Sequence, residues 1–242
     1  MRLDTRIFPD IEALSRGALE EVAANIRDAI SQRGRFAIAL SGGHTPAKMY
    51  SLWSAPGKYR DETPWDHVHM FWGDERYVPA DDPLSNYRMT RETLLAHVPI
   101  PAANVHPAPT GLATPEKAAE AYDAQLRGFF GPAEPVFDVT LLGLGPEGHT
   151  ASLFPGSPAL EEKQRWVVAV QVAAKPPNRL TFTLPVLNRS RNTYFLVAGK
   201  DKREILAALR SEPDSRPSQY PAGRVRPADG RVLWLLDQAA AG

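Results

Sequence analysis

The sequence predicts an α/β fold: an open, mostly parallel sheet flanked by helices on both faces. Three observations point there. Helix-period and strand-period segments alternate along most of the 242 residues. The run from Phe137 to Leu142 is apolar and β-branched apart from Asp138, as befits a strand buried on both faces. Strand-like runs also end at glycine-bearing turns, after Leu40, Trp72 and Leu142, where an α/β sheet carries its ligands.

Asp10 to Gln32 reads as a helix, with Ile11, Leu14, Ala18, Val22, Ile26 and Ile30 on one stripe and Gly34 as its stop. Arg35 to Leu40 reads as a strand, and a helix opens at Pro46 with Thr45 as its N-cap. His67 to Trp72 alternates as a strand, with His67 and His69 on one face. Asn86 to Leu95 reads as helical behind a Ser85 cap, and the proline-rich stretch from Val98 to Pro115 as loop. Thr114 or Pro115 opens a helix towards Phe130. Phe137–Leu142, Trp166–Val170, Leu180–Leu184 and Thr193–Val197 read as strands. Lys200 to Leu209 reads as helical, followed by a Pro/Ser-rich loop to Pro221 and a last strand over Val232–Leu236. No repeat, low-complexity tract or linker breaks the chain, so one domain over residues 1–242 is expected.

Composition narrows the function. Twenty-eight basic and 28 acidic residues cancel, which argues against a nucleic-acid or membrane-surface partner. With no cysteine, disulfides, thiolate catalysis and cysteine-based metal sites are excluded. The opening M-R-L-D-T-R-I-F-P-D lacks the apolar core of a signal peptide, and no run approaches the length of a membrane span, so the cytoplasm is the expected location. No metal site is expected, because nothing near His67 and His69 completes one.

Four segments carry candidate chemistry. In Ser41-Gly42-Gly43-His44-Thr45-Pro46, a strand–turn–helix junction offers backbone N–H groups and hydroxyls to a single phosphate. The longer glycine-lysine loop that cradles nucleotide triphosphates is absent. In Gly73-Asp74-Glu75-Arg76, Asp74 can orient a hydroxyl or a histidine and Arg76 can grip a phosphate with its planar fork, unless the triplet is simply a solvated loop. In Gly143-Leu144-Gly145-Pro146-Glu147-Gly148-His149, a glycine turn delivers one histidine beside Glu147, with Thr150 and Ser152 after it. A histidine so placed suits a general base, and the turn's N–H groups suit an oxyanion. The same glycines spell G-x-G-x-x-G, but Pro146 interrupts the turn, Pro155 and Pro158 shorten any helix, and no acid ends the next strand. Dinucleotide binding is therefore not expected. Finally, Arg179 before one strand and Lys200 after another can add positive charge for an anionic substrate.

The ordered set S-G-G-H-T-P (41–46), F-W-G-D-E-R-Y-V-P (71–79), S-N-Y-R-M (85–89), G-L-G-P-E-G-H-T-A-S-L-F-P (143–155), P-P-N-R-L-T-F-T (176–183) and A-G-K-D-K (198–202) resembles the 6-phosphogluconolactonase family across nearly the whole chain. The resemblance implies a Rossmann-like sheet and hydrolysis of 6-phospho-D-glucono-1,5-lactone to 6-phosphogluconate, a step of the oxidative pentose phosphate pathway, without metal or organic cofactor. It implies His149 as the base, Asp74 near the reacting end, and Ser41, Gly42, Gly43, Thr45, Arg76, Arg179 and Lys200 as holders of the phosphate or sugar chain. The expected partner is the small sugar-phosphate lactone, with oligomeric state left open and a monomer compatible. Glu147 departs from the family's usual aspartate. The related glucosamine-6-phosphate deaminases carry an acid five residues after this histidine, where this chain has Phe154, and D-E-Y where it has D-E-R. A deaminase or sugar-phosphate isomerase is the alternative enzyme. A non-catalytic sugar-phosphate sensor is the alternative of another class, though the single helix expected before the first strand is too little for an output module.

Overall fold

The computed structural model describes residues 3–131, 135–213 and 217–242. Residues 214–216 of the expected Pro/Ser-rich loop lie outside them.

Elements follow in chain order. Strand β1 (Thr5–Phe8) precedes helix α1 (Ile11–Arg33), which Asp10 caps by accepting the Ala13 N–H and Gly34 ends at φ 73°. Strand β2 (Phe36–Leu40), helix α2 (His44–Ser54) and the single turn α3 (Lys58–Asp61) lead to β3 (Val68–Trp72) and β4 (Asp74–Arg76). Helix α4 (Asn86–Thr93) opens on Ser85, whose hydroxyl accepts the Arg88 N–H. The two-residue β5 (Val105–His106) precedes α5 (Pro115–Phe130), capped by Thr114. Then come β6 (Val139–Leu142), β7 (Val167–Gln171), β8 (Asn178–Phe182), the short α6 (Leu184–Leu187), β9 (Asn192–Val197), α7 (Arg203–Ser211), β10 (Arg231–Asp237) and α8 (Gln238–Ala241).

Seven strands form one parallel sheet in the order β1-β10-β9-β6-β2-β3-β5. Alternation along each strand divides the core into two layers. Ile38, Leu40, Met70, Trp72, Leu141, Tyr194 and Leu235 face α1 and α2. Ala37, Ala39, Phe71, Leu142, Phe195 and Trp234 face α5, α7 and α8. Helices therefore cover both faces, as expected. The sequence order reverses between β6 and β2, so the crevice over their carboxyl ends lies between the turn after Leu40 and the turn after Leu142.

The structure corrects several expectations. β7 and β8 do not extend the parallel sheet; with β4 they form a separate antiparallel sheet in the order β4-β8-β7, packed against the α5 layer. Asp74-Glu75-Arg76 is thus a strand rather than a solvated loop, because it pairs antiparallel with β8 directly after β3 ends. Strand β1 was not anticipated and places a strand ahead of the first helix. The stretch 98–115 contains β5 at the sheet edge. His67 lies on a 3-10 turn, its Nδ1 2.8 Å from the Gly34 carbonyl, and does not share a strand with His69. Thr45 is not an N-cap: α2 starts at His44, its cap position is Gly43 at φ 101°, and no side chain caps it.

Candidate active site

The turn after β2 is fixed from below by Tyr50. Its buried hydroxyl donates to the Ser41 carbonyl at 2.9 Å and accepts the Ser41 N–H at 3.1 Å. Ser41 itself is buried, and its Oγ turns back to the Gly42 carbonyl. α2 has no side-chain cap, so no side chain occupies the N–H groups of its first turn. Beyond Ser41, which does not line it, the turn borders a cavity of about 530 Å³ at the carboxyl ends of the strands, lined by Gly42, Gly43, Thr45, Gly143, Lys202 and Asp237 among others. Lys200 does not line it; it is exposed at the start of a 3-10 turn that carries Lys202 to the cavity instead. Lys202 was missed by sequence reasoning. Its signal was the second lysine of Gly199-Lys200-Asp201-Lys202, two residues further round that turn.

Asp74 stands at the start of β4, directly after β3, and is buried. It orients a hydroxyl and not the histidine: Ser152 Oγ donates to Asp74 Oδ2 at 2.7 Å. The Ser152 N–H in turn donates to Thr181 Oγ1, and Thr181 is the cross-strand partner of Asp74. Two residues on, Arg76 is directly opposite Arg179. Since side chains alternate along a strand, Asp74, Arg76, Thr181 and Arg179 share the face on which the 149–154 segment rests. Neither arginine pairs with a carboxylate among the described residues. Arg179 is 7% exposed and donates only to the Pro176 and Lys175 carbonyls. Arg76 donates to the Leu84 carbonyl, and its Nε is buried without an acceptor. Burial and the facing Arg76 both work against the Arg179 charge and lower its pKa. Two guanidiniums held together with donors to spare are chemically suited to an anion.

His149 ends the glycine turn. A Cβ on Gly145 would lie 2.0 Å from His149 Nδ1, so only glycine leaves room for the ring. Gly148 at φ 82° and Ala151 at φ 48° bend the chain on either side of it. The imidazole stacks on Phe154, centroids 4.1 Å apart and 18° from parallel. Its Nδ1 is buried, with Glu147 Oε2 at 3.0 Å but without the alignment of a hydrogen bond. Burial pushes the Glu147 carboxyl up, but its own backbone N–H and His149 outweigh that, and the net shift is downward. The Lys202 charge adds to that downward pull. The expectation that the turn's N–H groups await an oxyanion needs correction. The Gly145 N–H donates to the His149 carbonyl and the Gly148 N–H to the Gly145 carbonyl, so both are spent inside the turn.

The two halves are joined by Asn86. Its Nδ2 donates to the Asp74 carbonyl at 2.9 Å, and its Oδ1 would lie 1.9 Å from a Cβ on Gly42. Thr150 Oγ1 donates to the Gly143 carbonyl, tying the histidine segment to the strand end it left. Among the described residues no cluster of three metal-ligating side chains occurs.

The family model for glucosamine-6-phosphate isomerases and 6-phosphogluconolactonases matches residues 9–234. The chain belongs to this family. Among its relatives, a 6-phosphogluconolactonase of Synechocystis sp. is 46% identical over 95% of this chain and 93% of its own. One from Mycobacterium tuberculosis is 41% identical over 100% and 98%. The solved 6-phosphogluconolactonase of Trypanosoma brucei superposes with a TM-score of 0.84 at 33% identity, covering 99% of this chain and 98% of that one. A monomeric glucosamine-6-phosphate deaminase, 20% identical with a TM-score of 0.80, shares the fold. Within the family, the residue five places after the histidine is here Phe154, an aromatic ring stacked on the imidazole rather than an acid.

Proposed function

We propose that this chain hydrolyses 6-phospho-D-glucono-1,5-lactone to 6-phospho-D-gluconate. The observation that carries the reading is His149 held on a glycine turn whose first residues, Gly143 and Leu144, line a crevice together with Lys202 and the uncapped start of α2, within a chain whose relatives are 6-phosphogluconolactonases. His149 is the general base. Glu147 beside Nδ1 favours the tautomer with the proton there, leaving Nε2 to accept one from water. The water oxygen adds to the lactone carbonyl carbon, and the carbonyl electron pair moves onto its oxygen. The tetrahedral species then collapses with cleavage of the bond to the ring oxygen, which takes the proton from the imidazolium. The new carboxylic acid ionises to solvent. Base catalysis of this kind supplies about 10²–10⁴-fold. The phosphate is held by the α2 N-terminus with Lys202, and Arg76 and Arg179 add charge from β4 and β8. Asp74, anchored on Ser152, borders the reacting end.

The test is a coupled assay in which glucose-6-phosphate and its dehydrogenase generate the lactone and 6-phosphogluconate dehydrogenase reports the acid. Acceleration over the spontaneous rate is expected. No acceleration, together with ammonia release from glucosamine-6-phosphate, would replace this reading with the deaminase.

A further inference from the structure

We propose that Glu75 is a positioning residue for this hydrolysis, its carboxylate clamping β4 to the first turn of α4 and thereby setting where Asp74, Asn86 and the Gly42 turn stand. The inference rests on the lactonase reading above. Glu75 is 2% exposed and points to the face of β4 opposite Asp74 and Arg76. Four donors converge on it. Oε1 accepts the Arg76 N–H and the Asn86 N–H, each at 2.7 Å. Oε2 accepts the Tyr87 N–H at 2.7 Å and the Ser85 hydroxyl at 3.2 Å. The carboxylate thus covers the start of α4, where a negative charge is favoured by the helix dipole. The clamp matters to the site because of what Asn86 then does. With its backbone held by Glu75, its side chain bonds the Asp74 carbonyl and fills the space above Gly42. One buried carboxylate therefore sets the spacing between the strand that carries Asp74 and the Gly42 turn, without itself reaching the substrate.

An uncharged side chain cannot accept from all four donors, since a protonated carboxyl or an amide turns a hydrogen towards one of them. The charged and titratable groups around Glu75 are Asp74 and Arg76 on its own strand, Arg179 from β8 and Tyr122 from α5. The nearest ionic side chain on α4, Arg88, is committed to Glu92 and the Asp81 carbonyl. Burial pushes the Glu75 carboxyl up to about 7, against the N–H groups of Asn86, Tyr87 and Arg76, and the Asp74 charge pushes the same way. As pH falls through that value the carboxyl takes up a proton and the clamp loosens.

The experiment compares kcat/KM for the lactone in wild type, Glu75→Gln and Asn86→Ala from about pH 8 to about pH 6, a range spanning the titration. Wild type without activity at about pH 8 would sink the lactonase reading, and this proposal with it. With wild type active, Glu75→Gln is expected to lose about 10–100-fold at the alkaline end, the scale of hydrogen bonds to a charged group. The ratio of wild type to variant should then close as pH falls through about 7, because wild type comes to resemble the amide. A folded Glu75→Gln of full activity, or a ratio constant with pH, overturns the proposal. Should Glu75→Gln fail to fold, Asn86→Ala decides: it removes the side chain through which the clamp acts, and its ratio to wild type must close in the same way.

Discussion

At the scale of single residues, the site separates its charges by what each touches. Asp74 is committed to Ser152, Glu147 to His149, and Lys202 reaches a cavity that Lys200 does not. Arg76 and Arg179 keep unshared donors although they oppose each other, an arrangement that an anion would relieve. Arg179→Ala and Lys202→Ala should therefore raise KM for the phosphorylated lactone by about tenfold or more, the range for one charge-assisted contact, while leaving unphosphorylated gluconolactone nearly unchanged. Lys200→Ala should change neither. Equal losses on both lactones in initial-rate kinetics would remove the phosphate from these residues. Glu147→Gln keeps the length of the side chain and removes its charge from Nδ1. A drop in kcat of about fivefold is expected, the order of a partly exposed ion pair. Much of this was legible in the sequence. Ser41-Gly42-Gly43, Asp74, Arg76, Glu147 and His149 each follow a strand end marked by glycine. The distinction between Lys200 and Lys202 was not, because it depends on how far a 3-10 turn rotates before α7 begins.

The elements show where pattern reading reaches its limit. Long periodic segments, such as α1 with its stripe and the runs that became β2, β6 and β9, were recognised because apolar spacing alone determines them. β4 was not, since three charged residues become a strand only by pairing with β8, more than a hundred positions away. For the same reason β7 and β8 were assigned to the main sheet: antiparallel pairing in a second sheet leaves no mark on local composition. The cap of α2 was misplaced because Thr45 fits the chemistry of a cap, whereas the chain turns two residues earlier on Gly43 at φ 101°. The glycine turn before His149 yields the sharpest prediction at this scale. In Gly145→Ala the new methyl would occupy the position of the imidazole edge. The variant should stay folded, with about 1–3 kcal/mol of lost stability from overpacking, and lose kcat at least a hundredfold as the ring is displaced. Denaturant unfolding and initial rates on the same preparation check both parts.

Across the whole molecule, the parallel sheet brings the ends of β2, β3, β6, β9 and β10 to one edge, and the reversal of strand order between β6 and β2 opens the crevice there. The small antiparallel sheet then carries Arg179 and Thr181 to the same edge from a separate layer. The edge strand β5 holds a second titratable feature. His69 Nδ1 lies 3.2 Å from His106 Nε2, and His106 stacks on Phe71, centroids 4.3 Å apart. Burial, with His69 beside it, pushes His106 down to about 4. The unfolded chain takes up this proton near the ordinary histidine value, before the folded chain does. The stability that neutral His106 contributes is therefore complete above about 6.5 and is lost as pH falls towards about 4. Glu75 acts in the opposite sense, because its raised value lets the folded state bind a proton first. A comparison with His106→Phe isolates the histidine. The Tm difference between wild type and variant should shift in favour of the variant on acidification from about pH 7 to about pH 5, and a pH-independent difference would count against the pair as a titrating unit.

The most direct test of the account is the rate of 6-phosphogluconate formation in the coupled assay for wild type and His149→Ala beside the spontaneous rate. Acceleration by wild type, with kcat reduced by about 10²–10⁴-fold and KM little changed in a folded His149→Ala, is the predicted result. A folded variant that retains near wild-type kcat would contradict it and remove His149 from the chemistry.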